Sequence, residues 1–515
     1  MNFKINNDME SKSVTKKTLE GFFWMFSGKG THFFLQLVII AVLARLISPE
    51  SFGFVGAALV VISFSEIFSQ IGIGPAIVQR PNLSKEHICT GFTVSLLLGF
   101  LFAVVIYIFA PLIEMAFNMS GLEVLIKALA LLFPIHSISI VSRHLLQREM
   151  QFKYLAGAQV VSYIIGYLIV GVVFAYRGFG EWALVFAHLS QALSLSSLLL
   201  YIQPHPKTLS INGNAFKELM SFGGGFTLAR LFSYVALQGD NFVVGRWLGA
   251  GALGIYSRAY QMMSRPATFL GEIIDQVLFP AMSKVQSEEK RLTTAYLSGV
   301  SLIALTILPM SVYFFLLAPE IVRFLLGSNW DEVIIPFQIL AVSMLFRSSY
   351  KVSDSITRAK GAVYARAWRK GIYAILIVLG AWVGQNYYGL PGVALGVLFS
   401  IVINYILMAQ LSLKLLNNNW LSFIAAHIPA LFISLIIAFP LWLLSLFLRA
   451  NQFPVFAVII ISGLTAVFFY LIMLKLFPVQ FLGKSNIWLL KELIPYIPTR
   501  AKLLRTEIQK ITELV

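Results

Sequence analysis

The chain has 515 residues, of which 58% are hydrophobic and only 12% are charged, and its mean hydropathy is +0.81. A soluble fold of this length does not need so much apolar surface, so the composition predicts an integral membrane protein. The single cysteine, Cys89, excludes an internal disulfide and a cluster of thiolate metal ligands.

Fourteen apolar stretches are long enough to cross a bilayer as helices, each of about 20 residues. They are continuous and rich in Leu, Ile and Phe, unlike the alternating pattern of a transmembrane β-barrel. We therefore expect an all-α integral membrane protein with about 14 transmembrane helices, and a count of twelve to fourteen would fit. The predicted spans cover residues 22–46, 52–73, 88–110, 123–143, 157–176, 181–202, 217–246, 252–276, 295–317, 333–355, 366–385, 391–413, 424–448 and 454–476.

The basic residues orient these helices. With the N-terminus in the cytoplasm, the cytoplasmic segments contain 27 of the 39 Lys and Arg residues, and the external loops contain five. This asymmetry follows the positive-inside rule, so both termini are expected to be cytoplasmic. It accounts for most of the formal net charge of +16 without a nucleic acid partner. The remaining seven basic residues fall within spans: Lys29, Lys127, Arg230, Arg258, Arg265, Arg347 and Lys351.

The sequence repeats itself with an offset of about 201 residues. At this offset Lys29 matches Arg230 and Gly53 matches Gly254, and further matches follow in the same order along the chain. Six spans separate the copies, so both enter the membrane in the same direction, as a parallel repeat related by an axis along the membrane normal. The pattern predicts two six-helix bundles around a central cavity, with one extra helix pair.

The predicted organisation follows from this repeat and from the turn residues between the spans. It comprises a cytoplasmic N-terminal segment at 1–21, an N-terminal bundle at 22–202, a cytoplasmic linker at 203–216, a C-terminal bundle at 217–413, accessory helices 13 and 14 at 424–476 and a cytoplasmic amphipathic tail at 477–515.

Polar residues recur at helical spacing along several spans. In lipid a continuous polar stripe must face protein or water, so the stripes predict a wet cleft between the bundles. Surplus positive charge in such a cleft favours an anion such as phosphate. The candidate anion site comprises Lys29, Arg230, Arg258, Arg265, Arg347 and Lys351. The candidate cavity-lining or coupling residues are His32, Glu66, Gln70, Gln238, Asp240, Asn241, Gln261, Glu272 and Asp275.

Buried ion pairs are the alternative explanation for these charges. In that case the acidic residues Glu66, Asp240, Glu272 and Asp275 neutralise the basic ones pairwise and only fix the helix register. Lys127 and Arg258 lie closer to external helix ends, where snorkelling alone would explain them. Basic residues outnumber acidic ones by seven to four within the spans, which favours a ligand for the set as a whole. No metal site and no catalytic constellation is predicted.

Three motifs resemble those of bacterial polysaccharide flippases of the Wzx type. Leu43–Gly53 (LARLISPESFG) resembles the family's LARLL-x-P-x-x-FG motif, and Gly72–Gln79 resembles its G-x-G-x-A-L-V-Q motif. Asp240–Tyr256 resembles its DN-x-x-IG-x-x-LG…LG-x-Y block. The resemblance spans most of residues 20–415 and is closest to the branch for colanic-acid-like and teichuronic-acid-like exopolysaccharides.

The resemblance implies a MATE-like transporter of the MOP superfamily in a bacterial inner membrane, and not an enzyme. The implied substrate is an undecaprenyl-pyrophosphate-linked oligosaccharide repeat unit, an exopolysaccharide or lipopolysaccharide precursor. Alternating access would move it from the cytoplasmic to the periplasmic leaflet. No cofactor is implied, and H⁺ or Na⁺ is the candidate coupling ion. Membrane lipids, a polysaccharide polymerase and other biosynthesis proteins are the further partners implied.

Two alternative functions stay open at this stage. A cation-coupled multidrug exporter of the same superfamily would favour an acidic or aromatic cavity over a basic one. A membrane glycan polymerase or transferase would need catalytic residues in its loops, and the loops here are short.

Overall fold

The computed structural model describes residues 28–477 of the chain, apart from residues 29, 71, 81, 285 and 287. Inside the helices it does not describe the side chains at positions 70, 221–230, 232, 270, 272–281, 283–284 and 363. The predicted N-terminal segment and nearly all of the predicted amphipathic tail therefore lie outside the described residues.

The described residues are almost entirely helical and contain no β-strand. A π-helical stretch, Ile164–Gly171, joins α7 to α8, and a 3₁₀ segment, Ser328–Val333, precedes α13. The helices are α1 (Gly30–Leu46), α2 (Pro49–Gln70), α3 (Ile73–Gln79), α4 (Lys85–Phe117), α5 (Leu122–Leu129), α6 (Leu132–Arg148), α7 (Phe152–Tyr163), α8 (Val172–Tyr176), α9 (Glu181–Ile202), α10 (Gly213–Lys284), α11 (Glu289–Leu316), α12 (Ala318–Leu325), α13 (Ile334–Val342), α14 (Met344–Ala359), α15 (Val363–Leu415), α16 (Trp420–Ala425), α17 (Ile428–Ala450) and α18 (Val455–Leu476).

Ten helical segments in the described part of the chain are long and apolar enough to cross a membrane. They confirm the all-α membrane fold that the composition predicted. Two long helices, α10 and α15, each contain two predicted spans. The two spans are separated by non-helical backbone, at Gly249 in α10 and at Tyr388 and Gly389 in α15. Helix α1 is a shorter apolar helix at the place of the first predicted span. The count of fourteen helices stays a prediction.

The helices form two compact units. Unit 1 consists of the chain up to Gly254 together with Leu325–Asn329, and unit 2 consists of Ile255–Phe324 and the chain from Trp330 onward. The units therefore divide in α10 between Gly254 and Ile255, so that the first arm and the start of the second arm belong to unit 1 and the rest of the second arm to unit 2. The bundle boundaries drawn from the sequence repeat stay a prediction.

The segment between α9 and α10 is held against α4 in unit 1. The backbone N–H groups of Ser210 and Asn212 donate to the hydroxyls of Thr93 and Thr90, each at 3.0 Å. His205 packs with its ring 5.1 Å from that of Phe92, and burial lowers the pKa of this histidine, so it is neutral near pH 7. These contacts fix where α10 begins.

Two glycines at equivalent positions of the repeat make matching close contacts within unit 1. A Cβ on Gly53 would overlap the carbonyl group of Ala250, and a Cβ on Gly254 would overlap the carbonyl group of Pro49. Pro49 and Ala250 are themselves related by the repeat offset, so the two contacts are copies of each other. Glycine is required because any side chain would push the backbones apart. We call these four residues the glycine clasp.

The two arms of α15 in unit 2 pack against each other through glycines spaced four residues apart. Gly380 and Gly384 on the first arm face Gly396 and Gly392 on the second, and a Cβ on any of the four would overlap the partner's carbonyl oxygen. Helices in lipid gain nothing from the hydrophobic effect when they pair, so close backbone approach at small residues supplies much of their association.

A methyl group at Gly384 should weaken this packing. In Gly384→Ala the new Cβ would overlap the carbonyl of Gly392, and we expect the free energy of unfolding to fall by about 1–3 kcal/mol. Thermal unfolding of the purified protein in detergent measures the change. Gly371→Ala on the same arm is the matched control, because a Cβ there meets open space. Equal melting temperatures for the two variants would contradict the tight glycine contact.

Candidate functional site

Four of the predicted anion-site residues lie in unit 2, on the second arm of α10 and on α14. The two helices are in direct contact, since the Ser348 hydroxyl donates to the carbonyl of Ala267 at 3.3 Å. Gly271 leaves room for the stem of Lys351, which a Cβ would meet at 2.9 Å. We call the four basic residues along this contact the cationic seam: Arg258, Arg265, Arg347 and Lys351.

The α10 side of the seam is organised by one amide. Gln261 Oε1 accepts a hydrogen bond from Arg258 Nη1 at 2.6 Å and another from Arg265 Nη2 at 3.2 Å. The three side chains therefore share one helix face, as their spacing of three and four residues predicted. A neutral amide thus accepts from both guanidinium groups and holds them side by side.

The α14 side of the seam contacts α10 through its cations. The Arg347 guanidinium lies 4.9 Å from the ring centroid of Tyr260, and Lys351 Nζ donates to the carbonyl of Thr268 at 3.3 Å. A cation–π contact and a hydrogen bond to a carbonyl both stabilise a positive charge. Four basic residues therefore lie along one contact between two helices.

The acidic residue at the end of the α14 stripe belongs to a different cluster. Asp354 accepts hydrogen bonds from Arg366 at 2.5 and 2.9 Å, and it lies 3.4 Å from Arg358 and 3.6 Å from Lys370. Asp354 lies three and seven residues after Lys351 and Arg347 on α14, a spacing that puts the three residues on one helix face. The structure shows it with three cations at the junction of α14 and α15, a grouping that the sequence reasoning missed.

In unit 1, Glu66 on α2 lies against His136 on α6, with Glu66 Oε1 3.1 Å from His136 Nδ1. Both side chains are about one third exposed, at 33% and 37%. Beside them is a small cavity with room for about one water molecule, lined also by Ser69, Ser95 and Ser137. The buried hydroxyl of Ser95, on α4, has no described hydrogen-bond partner and lines this cavity. The pair and the cavity form a polar site inside the bundle.

His136 was not among the predicted site residues, and neither was Arg143 on the same helix, whose charge acts on Glu66. The seven-residue spacing of His136 and Arg143 places both on one face of α6. The sequence therefore predicts that His136 and Arg143 share a helix face. It does not indicate that this face contacts α2.

The remaining described candidates make local contacts. The ring of His32 packs 4.6 Å from that of Tyr163. Gln238 Oε1 accepts from Asn241 Nδ2 at 2.7 Å. Asp240 is only 1% exposed, and its Oδ1 accepts from the backbone N–H of Asn241 at 2.8 Å. The contacts of Gln238, Asp240 and Asn241 order the end of the first arm of α10, close in sequence to the glycine clasp.

Five candidates lie outside the described residues or side chains: Lys29, Gln70, Arg230, Glu272 and Asp275. Their positions and the central cavity stay predictions. Because Glu272 and Asp275 share a helix with Arg258 and Arg265, the ion-pair alternative stays open for those two arginines. Among the residues that the structure describes, no group of three or more His, Cys, Asp or Glu side chains could hold a metal ion.

The fold is similar to the folds of two solved membrane proteins. It is similar to the solved structure of the lipid II flippase MurJ in an inward closed conformation, with a TM-score of 0.70 and 16% identity over 87% of this chain and 98% of MurJ. It is also similar to an inward-facing multidrug resistance MATE transporter, with a TM-score of 0.60 and 18% identity over 74% of this chain and 94% of that one. The chain therefore has the fold of the MOP superfamily.

The sequence assigns the chain to a family. Residues 42–335, more than half of the chain, match the family described as polysaccharide biosynthesis protein, and the chain belongs to that family. The lipopolysaccharide biosynthesis protein WzxC of Escherichia coli (strain K12) is 26% identical over 78% of this chain and 82% of its own length. The teichuronic acid biosynthesis protein TuaB of Bacillus subtilis (strain 168) is 25% identical over 70% of this chain and 75% of its own length. The succinoglycan biosynthesis transport protein ExoT of Rhizobium meliloti (strain 1021) is 25% identical over 65% of this chain and 67% of its own length.

These findings confirm the resemblance carried by the three motifs. The matched family region, residues 42–335, contains all of the motifs and the α10 side of the cationic seam, whereas α14 lies beyond it.

Neutralising the seam should weaken anion binding. We expect Arg265→Gln/Arg347→Gln to lose affinity for inorganic pyrophosphate by at least about tenfold, since each charge-assisted hydrogen bond contributes roughly 1.5–3 kcal/mol. Isothermal titration of the purified protein with pyrophosphate measures the loss. Arg291→Gln is the control, because Arg291 is 65% exposed and pairs with Glu288 at 3.0 Å. Unchanged affinity in the double variant would remove the seam from the anion site.

Proposed function

We propose that this chain is a flippase that moves polyprenyl-pyrophosphate-linked oligosaccharide repeat units from the cytoplasmic to the periplasmic leaflet by alternating access. The observation that carries the proposal is membership of the polysaccharide biosynthesis family over residues 42–335. Its relatives are named for the biosynthesis of lipopolysaccharide, teichuronic acid and succinoglycan, and one of them is named as a transport protein. The chain is a transporter and not an enzyme.

The cationic seam suits the charged part of such a substrate. A pyrophosphate group presents several anionic oxygens, and guanidinium groups bind such oxygens in pairs through their planar N–H donors. Arg258 and Arg265, aligned by Gln261, and Arg347 on the adjoining helix supply three such groups. The polyprenyl tail would stay among the acyl chains of the bilayer, because an apolar chain has no unfavourable solvation free energy there. Protein would surround the pyrophosphate and the sugars.

The Glu66–His136 pair is our candidate for the coupling site. A carboxylate beside an imidazole can share and release a proton, and His is the side chain that titrates most readily near neutral pH. The adjacent cavity and the unpartnered Ser95 hydroxyl provide a place for a water that could deliver the proton. Na⁺ would prefer oxygen ligands alone, and the imidazole nitrogen 3.1 Å from the carboxylate favours H⁺ instead.

The multidrug-exporter alternative is weaker on two grounds. The similarity to MATE transporters is 18% in sequence and concerns the fold alone. A cationic drug would be repelled by a seam of four basic side chains. The polymerase or transferase alternative has no support, since the named relatives include a transport protein and no named polymerase.

The proposed setting is the bacterial inner membrane, with both termini cytoplasmic, as the distribution of Lys and Arg predicts. The proposed lipid carrier is undecaprenyl pyrophosphate. A polysaccharide polymerase and other biosynthesis proteins are the proposed partners, because a flipped repeat unit must next be joined to others.

The leaflet distribution of lipid-linked intermediates tests the proposal. In cells lacking this protein, we expect one polyprenyl-linked repeat unit to accumulate in the cytoplasmic leaflet, because its synthesis continues while its translocation stops. Accessibility of the labelled glycan to a periplasmic reagent, with and without permeabilisation, measures the distribution. Unchanged lipid-linked pools together with altered sensitivity to toxic cations would favour the drug exporter instead.

Neutralising Glu66 should uncouple transport from the proton gradient. We expect Glu66→Gln to reduce export about tenfold or more and to abolish the response of export to an imposed pH gradient. The reason is that a glutamine amide does not take up and release a proton as a carboxylate does. Appearance of repeat units in the periplasmic leaflet, at several external pH values, measures both effects. Glu123→Gln is the matched control, since Glu123 pairs with Lys127 at 2.5 Å elsewhere in unit 1. Gradient-driven export by Glu66→Gln would place the coupling site elsewhere.

A further inference from the structure

Unit 2 contains an open cavity of about 550 Å³ that the proposed transport does not use. It lies at the end of the bundle where α12 and α13 meet the turn between α17 and α18. Basic-residue distribution predicts that this end is external. The cavity is lined by Pro319, Glu320, Arg323, Ile334, Arg449, Phe453, Val455 and Val458. We call it the interfacial cavity.

Two arginines of the cavity wall are held in fixed orientations by carboxylates. Arg449 donates from Nε and Nη2 to Glu320 at 2.8 and 2.9 Å, and Arg323 donates from Nε and Nη2 to Asp331 at 2.9 and 2.8 Å. Paired N–H···O bonds of this kind fix the guanidinium plane. Among the described contacts, each arginine uses one edge in this way and keeps its Nη1 group for another acceptor.

The charges of these two pairs cancel. Two guanidinium groups and two carboxylates leave no net charge around the cavity, so a simple anion gains little there. A ligand that carries both a positive and a negative group finds a partner for each. The Nη1 groups suit the negative group, and the carboxylate of Glu320, which lines the cavity, suits the positive one.

The rest of the cavity wall is apolar and continues into the lipid-facing surface. Five of the eight lining residues are apolar: Pro319, Ile334, Phe453, Val455 and Val458. On α18, Val455, Phe456 and Ile460 expose 37%, 54% and 56% of their surface, respectively. An apolar helix surface of this kind in a membrane protein faces acyl chains. The interfacial cavity therefore has a zwitterionic end and an apolar end in contact with the bilayer.

We propose that the interfacial cavity binds one zwitterionic phospholipid of the external leaflet, of the phosphatidylethanolamine class. Its phosphate accepts hydrogen bonds from Nη1 of Arg323 and of Arg449, and its ammonium group lies near Glu320. Its acyl chains run along α18. The bound lipid fills the space between α18 and the body of unit 2, where the described side-chain hydrogen bond is that of Tyr313 to the carbonyl of Ile459 at 2.9 Å.

Native mass spectrometry of the full-length protein tests the proposal. The protein is reconstituted in nanodiscs of equal parts phosphatidylethanolamine and phosphatidylglycerol. The lipids that stay bound to the protein after it is released from the nanodisc are counted. We expect wild type to retain phosphatidylethanolamine at least about tenfold better than phosphatidylglycerol. We expect Arg323→Gln to lose this retention about tenfold, equivalent to one good hydrogen bond to a charged group.

Two further variants make the result specific. Arg323 and Asp331 are 50% and 45% exposed, so breaking their pair changes stability little. Asp331→Asn leaves a net positive charge at the cavity and should move the preference toward phosphatidylglycerol. Arg291→Gln, which removes an exposed ion pair elsewhere in unit 2, should behave as wild type.

Three outcomes would overturn the proposal. Equal retention by wild type and Arg323→Gln would show that the arginines do not hold the lipid. A wild-type preference for phosphatidylglycerol would show that the cavity selects for negative charge. Displacement of the bound lipid by a neutral trisaccharide such as maltotriose would identify a carbohydrate site instead.

Discussion

A positive charge inside a helix that spans hydrocarbon is costly unless protein or water surrounds it, and this constraint organises unit 2. Helix α14, within a candidate membrane span, contains two such charges, and the adjoining second arm of α10 contains two further basic residues. Gln261 holds two guanidinium groups, Tyr260 supports a third, and Thr268 accepts from Lys351. The two helices must therefore pack together, and small residues such as Ser348 and Gly271 at their contact allow it. This arrangement brings four basic residues together, and it is the basis of the proposed anion site.

Glycine provides the complementary constraint, because backbones can approach closely only where there is no side chain. In α15 the two arms are joined by a short break at Tyr388 and Gly389 and then pack along paired glycines. In unit 1 the glycine clasp brings the beginning of α2 against the part of α10 that follows Gly249. Tyr234 adds a hydrogen bond from its hydroxyl to the carbonyl of Val60 at 2.5 Å, which ties the first arm of α10 to α2. Close packing fixes the helices, and the polar contacts set their register.

Much of the fold and part of the candidate site could be predicted from the sequence, because hydropathy and helical spacing are local properties. The Arg258, Gln261 and Arg265 face is an example, since a spacing of three and four residues fixes it without knowledge of any neighbour. Contacts between helices could not be predicted in this way. His136 meets Glu66 across 70 residues of sequence, and Asp354 on α14 pairs with three cations, two of which are on α15. The sharp breaks inside α10 and α15 depend on backbone angles at Gly249 and Gly389, which composition does not determine.

The glycine clasp has the form of an isologous contact, in which each partner presents the same surface to the other. Pro49 and Gly53 in one copy of the repeat meet Ala250 and Gly254 in the other, with the roles exchanged. A half-length ancestor with glycine at this single position would form both contacts at once in a two-fold homodimer. Gene duplication and fusion would then preserve an interface that already existed. After fusion the two glycine codons are independent of each other. A side chain at Gly53 would still overlap the carbonyl of Ala250, and a side chain at Gly254 would overlap the carbonyl of Pro49.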